Sequence, residues 1–318
     1  MSVLVFVEQS EGEIKKSSRE AVSYGAAMNA GDTIAVVLGP AQEDQLKSLG
    51  GNGATKVLHA SDDSLEQGII RAYASAISQA MESSGASTLV MAESSLGSPV
   101  AARVAIKTGA SLVSNVVELP DTSNGFSVKR SIYTGKAFAN VSLSGDKQVL
   151  TLKKGAVALQ EDGSDASVEA LNVTLGDADL GAKITSQEKA TGQVLLPEAD
   201  IVVSAGRGLK GPENWGMVED LAKELGAATG CSKPVSDMDW RPHHEHVGQT
   251  GIKVAPTLYI AIGISGAIQH LAGVNQSKYI VVINKDPEAP FFKAADYGIV
   301  GDAFDVVPKL TEAIKAAN

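Results

Sequence analysis

Polar and charged residues suited to ligand binding follow within a few residues of short apolar runs in the C-terminal part of the chain. They are Arg207, Ser265, Asn284 and Asp302, and the runs before them cover residues 201–204, 258–264, 279–283 and 297–300. Short apolar runs rich in β-branched residues are typical of buried parallel strands. Ligands bind beyond the carboxyl ends of such strands. The sequence therefore predicts that these side chains meet at one edge of a sheet.

Residues 206–211 read Gly-Arg-Gly-Leu-Lys-Gly and match the G-x-G-x-x-G pattern of dinucleotide-binding turns. The match is weak because Pro212 follows at once, and because no acidic residue ends a second apolar strand about 20 residues later. Three interpretations stay open: a site for a nicotinamide dinucleotide, a tight turn without a ligand, and a variant nucleotide site.

A second glycine-flanked segment is Val247-Gly248-Gln249-Thr250-Gly251. Glycines allow backbone N–H groups to approach a ligand closely, and Gln and Thr side chains can both donate and accept hydrogen bonds. By itself the segment is equally consistent with a surface loop.

The strand predicted at 258–264 turns through Ser265-Gly266 into a predicted helix over 266–272. A strand that leads into a helix in this way presents N–H groups and the positive end of the helix dipole, which suits a phosphate. Ser265 could instead be an N-cap. His270, one turn into the helix, is either a ligand contact or a structural histidine.

The remaining reactive residues do not predict a metal centre or a nucleophile. His243, His244 and His246 lack a neighbouring cysteine ligand, and we expect an exposed polar loop there. Cys231 is the single cysteine of the sequence, so no internal disulfide can form. No G-x-S-x-G segment marks a nucleophilic serine.

Composition sets limits on the class of protein. The 318 residues are enough for about two domains, with 44% hydrophobic and 20% charged residues. The net charge of −10 disfavours nucleic acid as a partner. An uncharged stretch over 254–277 contains Pro256 and His270, so we do not expect it to span a membrane. The N-terminal segment has no basic leader pattern, which together with the single cysteine predicts a cytoplasmic protein.

The elements around these residues predict an α/β protein of two domains. Apolar runs at 3–7, 33–38, 56–58 and 88–92 alternate with helical periods at 17–29, 42–49, 65–82 and 99–107, which predicts a parallel doubly wound sheet. Short β-type segments at 126–132, 137–143 and 149–152 predict an antiparallel extension. The polar segment 176–192 is interpreted as a linker, giving domains at 1–188 and 193–318. The second domain has strands predicted at 199–205, 258–264, 279–284 and 297–300, and helices at 213–225, 266–272 and 304–315.

Four segments together resemble the alpha subunits of electron transfer flavoproteins. They are GRGLK (206–210), VGQTG (247–251), VAPTLYIAIGISGAIQHLAG (254–273) and INKDPEAPFFKAADYGIVGD (283–302). The resemblance covers the whole C-terminal domain, which it identifies as a doubly wound FAD-binding domain, whereas the N-terminal domain agrees in layout only. It implies an electron carrier, not an enzyme with a substrate of its own, and a heterodimer with a homologous beta subunit that holds AMP.

The resemblance also implies a set of cofactor contacts. Thr250 would lie at flavin N5, and His270 would lie at the N1/O2 edge, where a donor or cation stabilises the negative charge acquired on reduction. The full set is Arg207, Ser232, Lys233, Val247, Gly248, Gln249, Thr250, Ser265, Gly266, Ala267, Ile268, Gln269, His270, Asn284 and Asp302.

Lys233 departs from the family, which commonly has an arginine over the flavin ring at this position. An ammonium group cannot stack as a planar guanidinium does, so this difference should alter the reduction potential more than FAD binding.

The resemblance implies dehydrogenase donors such as acyl-CoA dehydrogenases in fatty acid β-oxidation, and a membrane quinone oxidoreductase as acceptor. The alternatives are a paralogue in electron bifurcation or nitrogen fixation, and an NAD-binding dehydrogenase that uses the turn at 206–211.

Overall fold

The chain forms two compact units, Met1–Gln187 and Glu188–Asn318. The structure is a computed structural model that describes residues 2–10, 12–133, 137–186, 196–197 and 199–317. Both units consist of parallel-rich sheets with helices between successive strands. This architecture confirms the predicted α/β class.

The first unit is built on a nine-stranded sheet in the order β11-β5-β4-β1-β6-β10-β7-β8-β9. Its strands, with a separate β2–β3 ribbon, are β1 Val3–Val7, β2 Gln9–Ser10, β3 Glu13–Ile14, β4 Thr33–Leu38, β5 Lys56–Ala60, β6 Thr88–Ala92, β7 Ser111–Val116, β8 Phe126–Ile132, β9 Ala137–Leu143, β10 Gln148–Leu152 and β11 Ser167–Ala170. Its helices are α1 Lys16–Ala27, α2 Glu43–Ser48, α3 Ile70–Ser83 and α4 Gly97–Thr108. Strand β1 is buried at every residue because helices cover both faces of the sheet centre.

The antiparallel part of this sheet is smaller than the sequence predicts. Only β8 and β9 run antiparallel to their neighbours, and β9 alternates between exposed and half-buried residues, as expected of a strand with one face in water. Strand β10, predicted as part of the extension, instead pairs in parallel with β6 and β7. All five of its residues are buried, which is typical of a central parallel strand.

The predicted linker 176–192 is structured at its start. Asp179 accepts a hydrogen bond from Ser75 of α3, with 2.7 Å between the oxygens, and Arg71 donates to the Ala178 carbonyl. These contacts attach residues 176–180 to the first unit. Residues 187–192 of the predicted linker lie outside the described residues.

The second unit has a five-stranded, wholly parallel sheet in the order β13-β12-β14-β15-β16. The elements are β12 Ile201–Ala205, α5 Gly216–Glu224, β13 Ala228–Cys231, α6 Lys233–Asp237, β14 Leu258–Ile262, α7 Ile268–Val274, β15 Tyr279–Asn284, β16 Tyr297–Val300 and α8 Ala303–Ala317. Strand β13, the next along the chain, lies on one side of β12, and β14 lies on the other side of β12. The strand order therefore reverses at β12, which is where doubly wound sheets bind their ligands.

Two elements of this unit are absent from the sequence prediction. Strand β13 reads Ala-Thr-Gly-Cys, which is too short and too rich in small residues to give a strand pattern. Helix α6 has five residues and contains Pro234. Helix α7 begins at Ile268, two residues later than predicted.

We predict that Gly50→Ala destabilises the first unit by about 2 kcal/mol or more, because a Cβ there would overlap the backbone at Ser164 and Ala166. The adjacent Gly51→Ala is the matched control, since a Cβ at Gly51 meets nothing within 4 Å. Urea unfolding followed by far-ultraviolet circular dichroism measures the difference. Trp215 and Trp240, the two tryptophans, lie in the second unit, so tryptophan fluorescence should be unchanged in both variants. Equal stability of the two variants would contradict this packing.

Candidate functional site

A cavity of about 320 Å³ lies at the carboxyl edge of the second sheet, within the range of small-molecule sites. Most of the residues predicted to bind a cofactor line it. They are Arg207, Ser232, Lys233, Val247, Gly248, Gln249, Thr250, Ser265, Ala267, Gln269 and His270. Of the four residues that the strand-end argument placed at this edge, Arg207 and Ser265 line the cavity, and Asn284 and Asp302 do not.

The cavity wall also contains Pro234, His246, Gly263 and Ile264, which the sequence prediction omitted. His246 was expected in an exposed loop, but it is 3% exposed. Glu245 beside it is also buried, and Arg241 donates to both of its carboxylate oxygens. The sequence feature that could have identified His246 as part of the site is its position immediately before the glycine-flanked segment 247–251. Within the described residues, no group of three or more His, Cys, Asp or Glu side chains could hold a metal ion.

The segment 247–251 is held between β13 and α7. The Val247 N–H donates to the Cys231 carbonyl at 2.9 Å, and the Gln249 N–H donates to the Gln269 carbonyl at 2.7 Å. Gly273 packs against Gly248 so closely that a Cβ on it would lie 2.6 Å from the Gly248 Cα. The loop is therefore fixed at both sides, while the side chains of Gln249 and Thr250 stay exposed at the cavity.

The glycines at 206 and 208 have a packing role. The Gly206 and Gly208 N–H groups donate to the carbonyls of Ile262 and Gly263, at 2.9 and 3.1 Å. A Cβ on Gly208 would lie 2.6 Å from the Gly263 Cα. Helix α5 begins only at Gly216, whereas a dinucleotide turn leads straight into its helix. These contacts disfavour the nicotinamide dinucleotide interpretation of residues 206–211.

The turn Ser265-Gly266 is shaped by Phe291. Gly266 has φ +81°, and a Cβ on it would lie 2.6 Å from the Phe291 Cα and N. The Phe291 N–H donates to the Ser265 carbonyl at 3.1 Å. Ser265 is exposed, and α7 has Ala267 as its N-cap with no side-chain cap. The Ser265 hydroxyl is therefore not used as a cap.

Two cations stand at the exposed margin of the cavity. Arg207 makes no ion pair within the described part of the chain. Lys233 is paired with Asp237 one helical turn away, with both Nζ–Oδ distances at 2.7 Å. We call the exposed residues Arg207, Lys233, Gln249, Thr250 and Ser265 the rim. The positive charge of Arg207 is therefore not neutralised by a carboxylate of the described residues, and an anionic group would be attracted to it.

The inner wall of the cavity is buried, and we call His246, Val247 and His270 the floor. The pKa of His270 is lowered to about 4, mainly because the side chain is buried and also because His246 lies near it, while the Val247 backbone opposes part of the change. Burial also lowers the pKa of His246, aided by His243 and Lys233. Both imidazoles are thus neutral at pH 7, and the Nδ1 atom of each lacks a partner of hydrogen-bond geometry.

The other predicted contacts, Gly266, Ile268, Asn284 and Asp302, lie outside the cavity wall. The Asn284 amide donates to the Ile264 carbonyl at 3.0 Å and accepts from the Asp286 N–H at 3.1 Å. Asp302 accepts from the Phe304 N–H at 3.1 Å, at the start of α8. Ile268 is 72% exposed. The structure thus does not bring these four residues together with the rest in the cavity.

These features fit a flavin dinucleotide. The rim supplies cations and hydroxyl groups for a diphosphate, and the glycine-bounded loop 247–251 allows close backbone approach. The floor supplies buried ring nitrogens without partners, which suit the polar edge of a planar heterocycle. Among the described residues, no helix is both long and apolar enough to cross a membrane.

Comparison with known proteins gives consistent matches. Residues 3–176 match the Electron transfer flavoprotein domain, and residues 195–275 match the Electron transfer flavoprotein FAD-binding domain. The cavity wall, from Arg207 to His270, lies wholly inside the second match.

Curated relatives align over nearly the whole chain. The electron transfer flavoprotein subunit alpha of Mycobacterium tuberculosis is 41% identical, and that of Bacillus subtilis is 37% identical, each match covering 99% of this chain and 98% of the relative. A probable mitochondrial electron transfer flavoprotein subunit alpha of Caenorhabditis elegans is 36% identical, with 98% and 93% covered.

We predict that the free energy of unfolding of the second unit falls as the pH is lowered from about 6.5 to about 4. The unfolded chain takes up a proton at His270 below its ordinary pKa of 6.5, whereas the folded chain takes it up only near 4. Titration of His270 accounts for a decrease of at most about 3 kcal/mol in the free energy of unfolding. Urea unfolding followed by tryptophan fluorescence measures it.

His270→Gln is the control, because glutamine does not titrate in this range. The variant should lose stability less steeply over the same pH interval. An unchanged slope would show that His270 is not the group responsible.

Proposed function

Because the chain belongs to the electron transfer flavoprotein alpha-subunit family and contains its FAD-binding domain, we propose that it is one subunit of a heterodimeric electron carrier. FAD supplies the redox chemistry when it is bound. The observation that carries the proposal is the cavity at the carboxyl edge of the second sheet, which gathers the 247–251 loop, Ser265 and His270. The carrier accepts electrons from dehydrogenases, such as acyl-CoA dehydrogenases, and passes them to a membrane quinone oxidoreductase.

In this proposal two residues of the rim hold the phosphates. Arg207, which has no ion pair in the described structure, contributes the charge, and the exposed Ser265 hydroxyl contributes a hydrogen bond. Asn284 and Asp302, which lie outside the cavity wall, are proposed as further contacts of the cofactor on the basis of the family resemblance.

The floor faces the ring system. His270 offers a neutral imidazole because burial keeps it unprotonated at pH 7, so its role toward oxidised cofactor is that of a hydrogen-bonding group and not a cation. Thr250, an exposed residue of the cavity wall, is assigned to the N5 edge. Lys233 is less effective than a free cation because Asp237 holds its ammonium group.

The first unit is proposed to contact a homologous beta subunit, which holds AMP. The cavity has an exposed rim, so a partner that covers it would exclude water and strengthen FAD binding. The heterodimer, not the isolated chain, is therefore the proposed functional form.

The experiment produces the full chain alone and together with an electron transfer flavoprotein beta subunit. We expect one FAD per heterodimer, detected by flavin absorbance and by mass, and weak FAD binding by the chain alone. A stable flavin-loaded monomer would contradict the partner assignment. A colourless complex that binds NAD would contradict the carrier function and favour a dehydrogenase.

We predict that Ser265→Ala weakens FAD binding by about 10- to 150-fold, because it removes a hydrogen bond to a charged phosphate worth about 1.5–3 kcal/mol. Thr250→Ala should change the reduction potential more than the affinity. Fluorescence titration and redox titration measure the two effects. Ser277→Ala is the matched control, since Ser277 follows the other end of α7 and is not part of the cavity wall. Equal losses of affinity in the Ser265 and Thr250 variants would contradict the division of roles.

A further inference from the structure

The residues between α6 and the loop 247–251 are held by an arginine outside the cavity. We call residues 238–246 the connector, since they join α6 to that loop. Arg241 lies in the connector and is not part of the cavity wall. Its Cζ atom lies 5.5 Å from the centre of the Trp215 ring, and its three guanidinium nitrogens all donate hydrogen bonds. The proposed function gives these contacts no role.

The hydrogen bonds of Arg241 go to two carboxylates. Nε and one terminal nitrogen donate to the two oxygens of Glu245, at 2.8 and 2.6 Å. The other terminal nitrogen donates to Glu219 of α5 at 2.7 Å. Only a planar guanidinium presents donors that match both oxygens of a carboxylate in this way. Arg241 therefore links the end of the connector, at Glu245, to α5.

Glu245 is buried although it carries a carboxylate. Its side chain is 4% exposed, and that of Arg241 is 17% exposed. A carboxylate removed from water is strongly destabilising unless it is paired and hydrogen-bonded. Among the described residues, no second cation lies within ion-pair distance of Glu245. The buried position of Glu245 therefore depends on Arg241.

Glu245 immediately precedes the base of the 247–251 loop. The His246 carbonyl accepts a hydrogen bond from the Ile252 N–H at 2.7 Å, which closes the loop. A Cβ on Gly251 would lie 2.3 Å from the same carbonyl oxygen, so the two sides of the loop are in close contact at His246. A shift of Glu245 would therefore move the residues that close the loop.

We propose that Arg241 is a positioning residue of the cofactor site: by fixing Glu245 against α5, it holds the 247–251 loop in the shape that accepts the cofactor. A loop that is already ordered binds more tightly, because it loses less conformational freedom on binding. Arg241 acts through the connector, whereas Arg207 lines the cavity and has no carboxylate partner in the described structure. The inference rests on the proposed function in taking FAD as the occupant of the cavity.

A positioning role differs from a general contribution to stability. Loss of stability would affect the whole second unit, whereas loss of positioning affects the loop first. Amide hydrogen exchange separates the two, because a local opening exposes only the amides of the segment that opens. The Val247 and Ile252 amides report on the loop, and the Gly206 and Gly208 amides report on another segment of the same unit, since all four are hydrogen-bonded to backbone carbonyls.

The experiment uses the full chain assembled with its beta subunit and compares Arg241→Gln and Arg241→Lys with the wild type. Lysine keeps a charge for Glu245 but lacks the planar fork, so Arg241→Lys tests positioning even if Arg241→Gln does not fold. Before FAD is added, we expect the loop amides to lose most of their protection in both variants, while the Gly206 and Gly208 amides keep theirs. Fluorescence titration should then show about tenfold weaker FAD binding, as expected if the loop has its binding shape about a tenth of the time.

A double-mutant cycle tests whether Arg241 acts through Glu245. Glu245→Gln should also weaken FAD binding, and adding it to Arg241→Lys should weaken binding little further, because both changes break the same contact. Additive losses of affinity would contradict this route.

Lys315→Gln is the matched control, because it removes another ion pair with α5, between Lys315 and Glu224 at 3.4 Å, without involving the connector. It should leave loop exchange and FAD affinity unchanged. If Arg241→Lys also leaves both unchanged, or speeds exchange equally at the loop and at Gly206 and Gly208, the inference is wrong. Failure of the wild-type complex to bind FAD would instead contradict the proposed function. The exchange comparison needs no cofactor and would then still decide whether Arg241 positions the loop.

Discussion

The carboxyl edge of the second sheet depends on backbone segments that pack against each other with no side chain between them. A Cβ on Gly263 would lie 2.8 Å from the Gly208 Cα, and one on Gly266 would lie against the Phe291 backbone. Gly273 makes the same kind of approach to Gly248. These contacts hold the 206–210 turn, the 247–251 loop and α7 close around the end of β14. The cavity is the space enclosed by this arrangement, so its shape follows from glycine positions and not from its lining side chains.

Close packing also fixes the electrostatics of the floor. His246 and His270 are 3% and 6% exposed, so water cannot solvate an imidazolium at either position. Two histidines in contact with one cavity would repel each other if both were charged, and His246 disfavours the protonation of His270. A buried polar residue usually needs a partner, and Tyr259 provides one for His270. The floor is therefore neutral until a ligand changes the balance.

Much of the site was predictable because strand ends converge in a parallel sheet whatever their loops do. That rule predicted Arg207 and Ser265, which line the cavity, and also Asn284 and Asp302, which do not. The incorrect predictions for strand β10 and His246 have physical causes. Strand β10 was predicted as part of the antiparallel extension because turn residues precede it. Its burial on both faces instead favours a central position between parallel strands. His246 was missed because a histidine-rich segment resembles a solvated loop, and its burial depends on the tertiary contact with β13.

The cavity thus has two electrostatic environments. At the rim, Arg207 and Lys233 are exposed, and salt screens exposed charges over about 8–10 Å. At the floor, hydrogen bonds and proton affinities are set among buried side chains, where screening is weak. A chain with net charge −10 repels anions overall, so anion binding must come from local cations and backbone N–H groups at the rim. The contacts proposed for the phosphates and those proposed for the flavin ring therefore lie in different electrostatic environments. Lys233 stands in the exposed environment, where Asp237 neutralises its ammonium group, so it adds less to the local positive charge than Arg207 does.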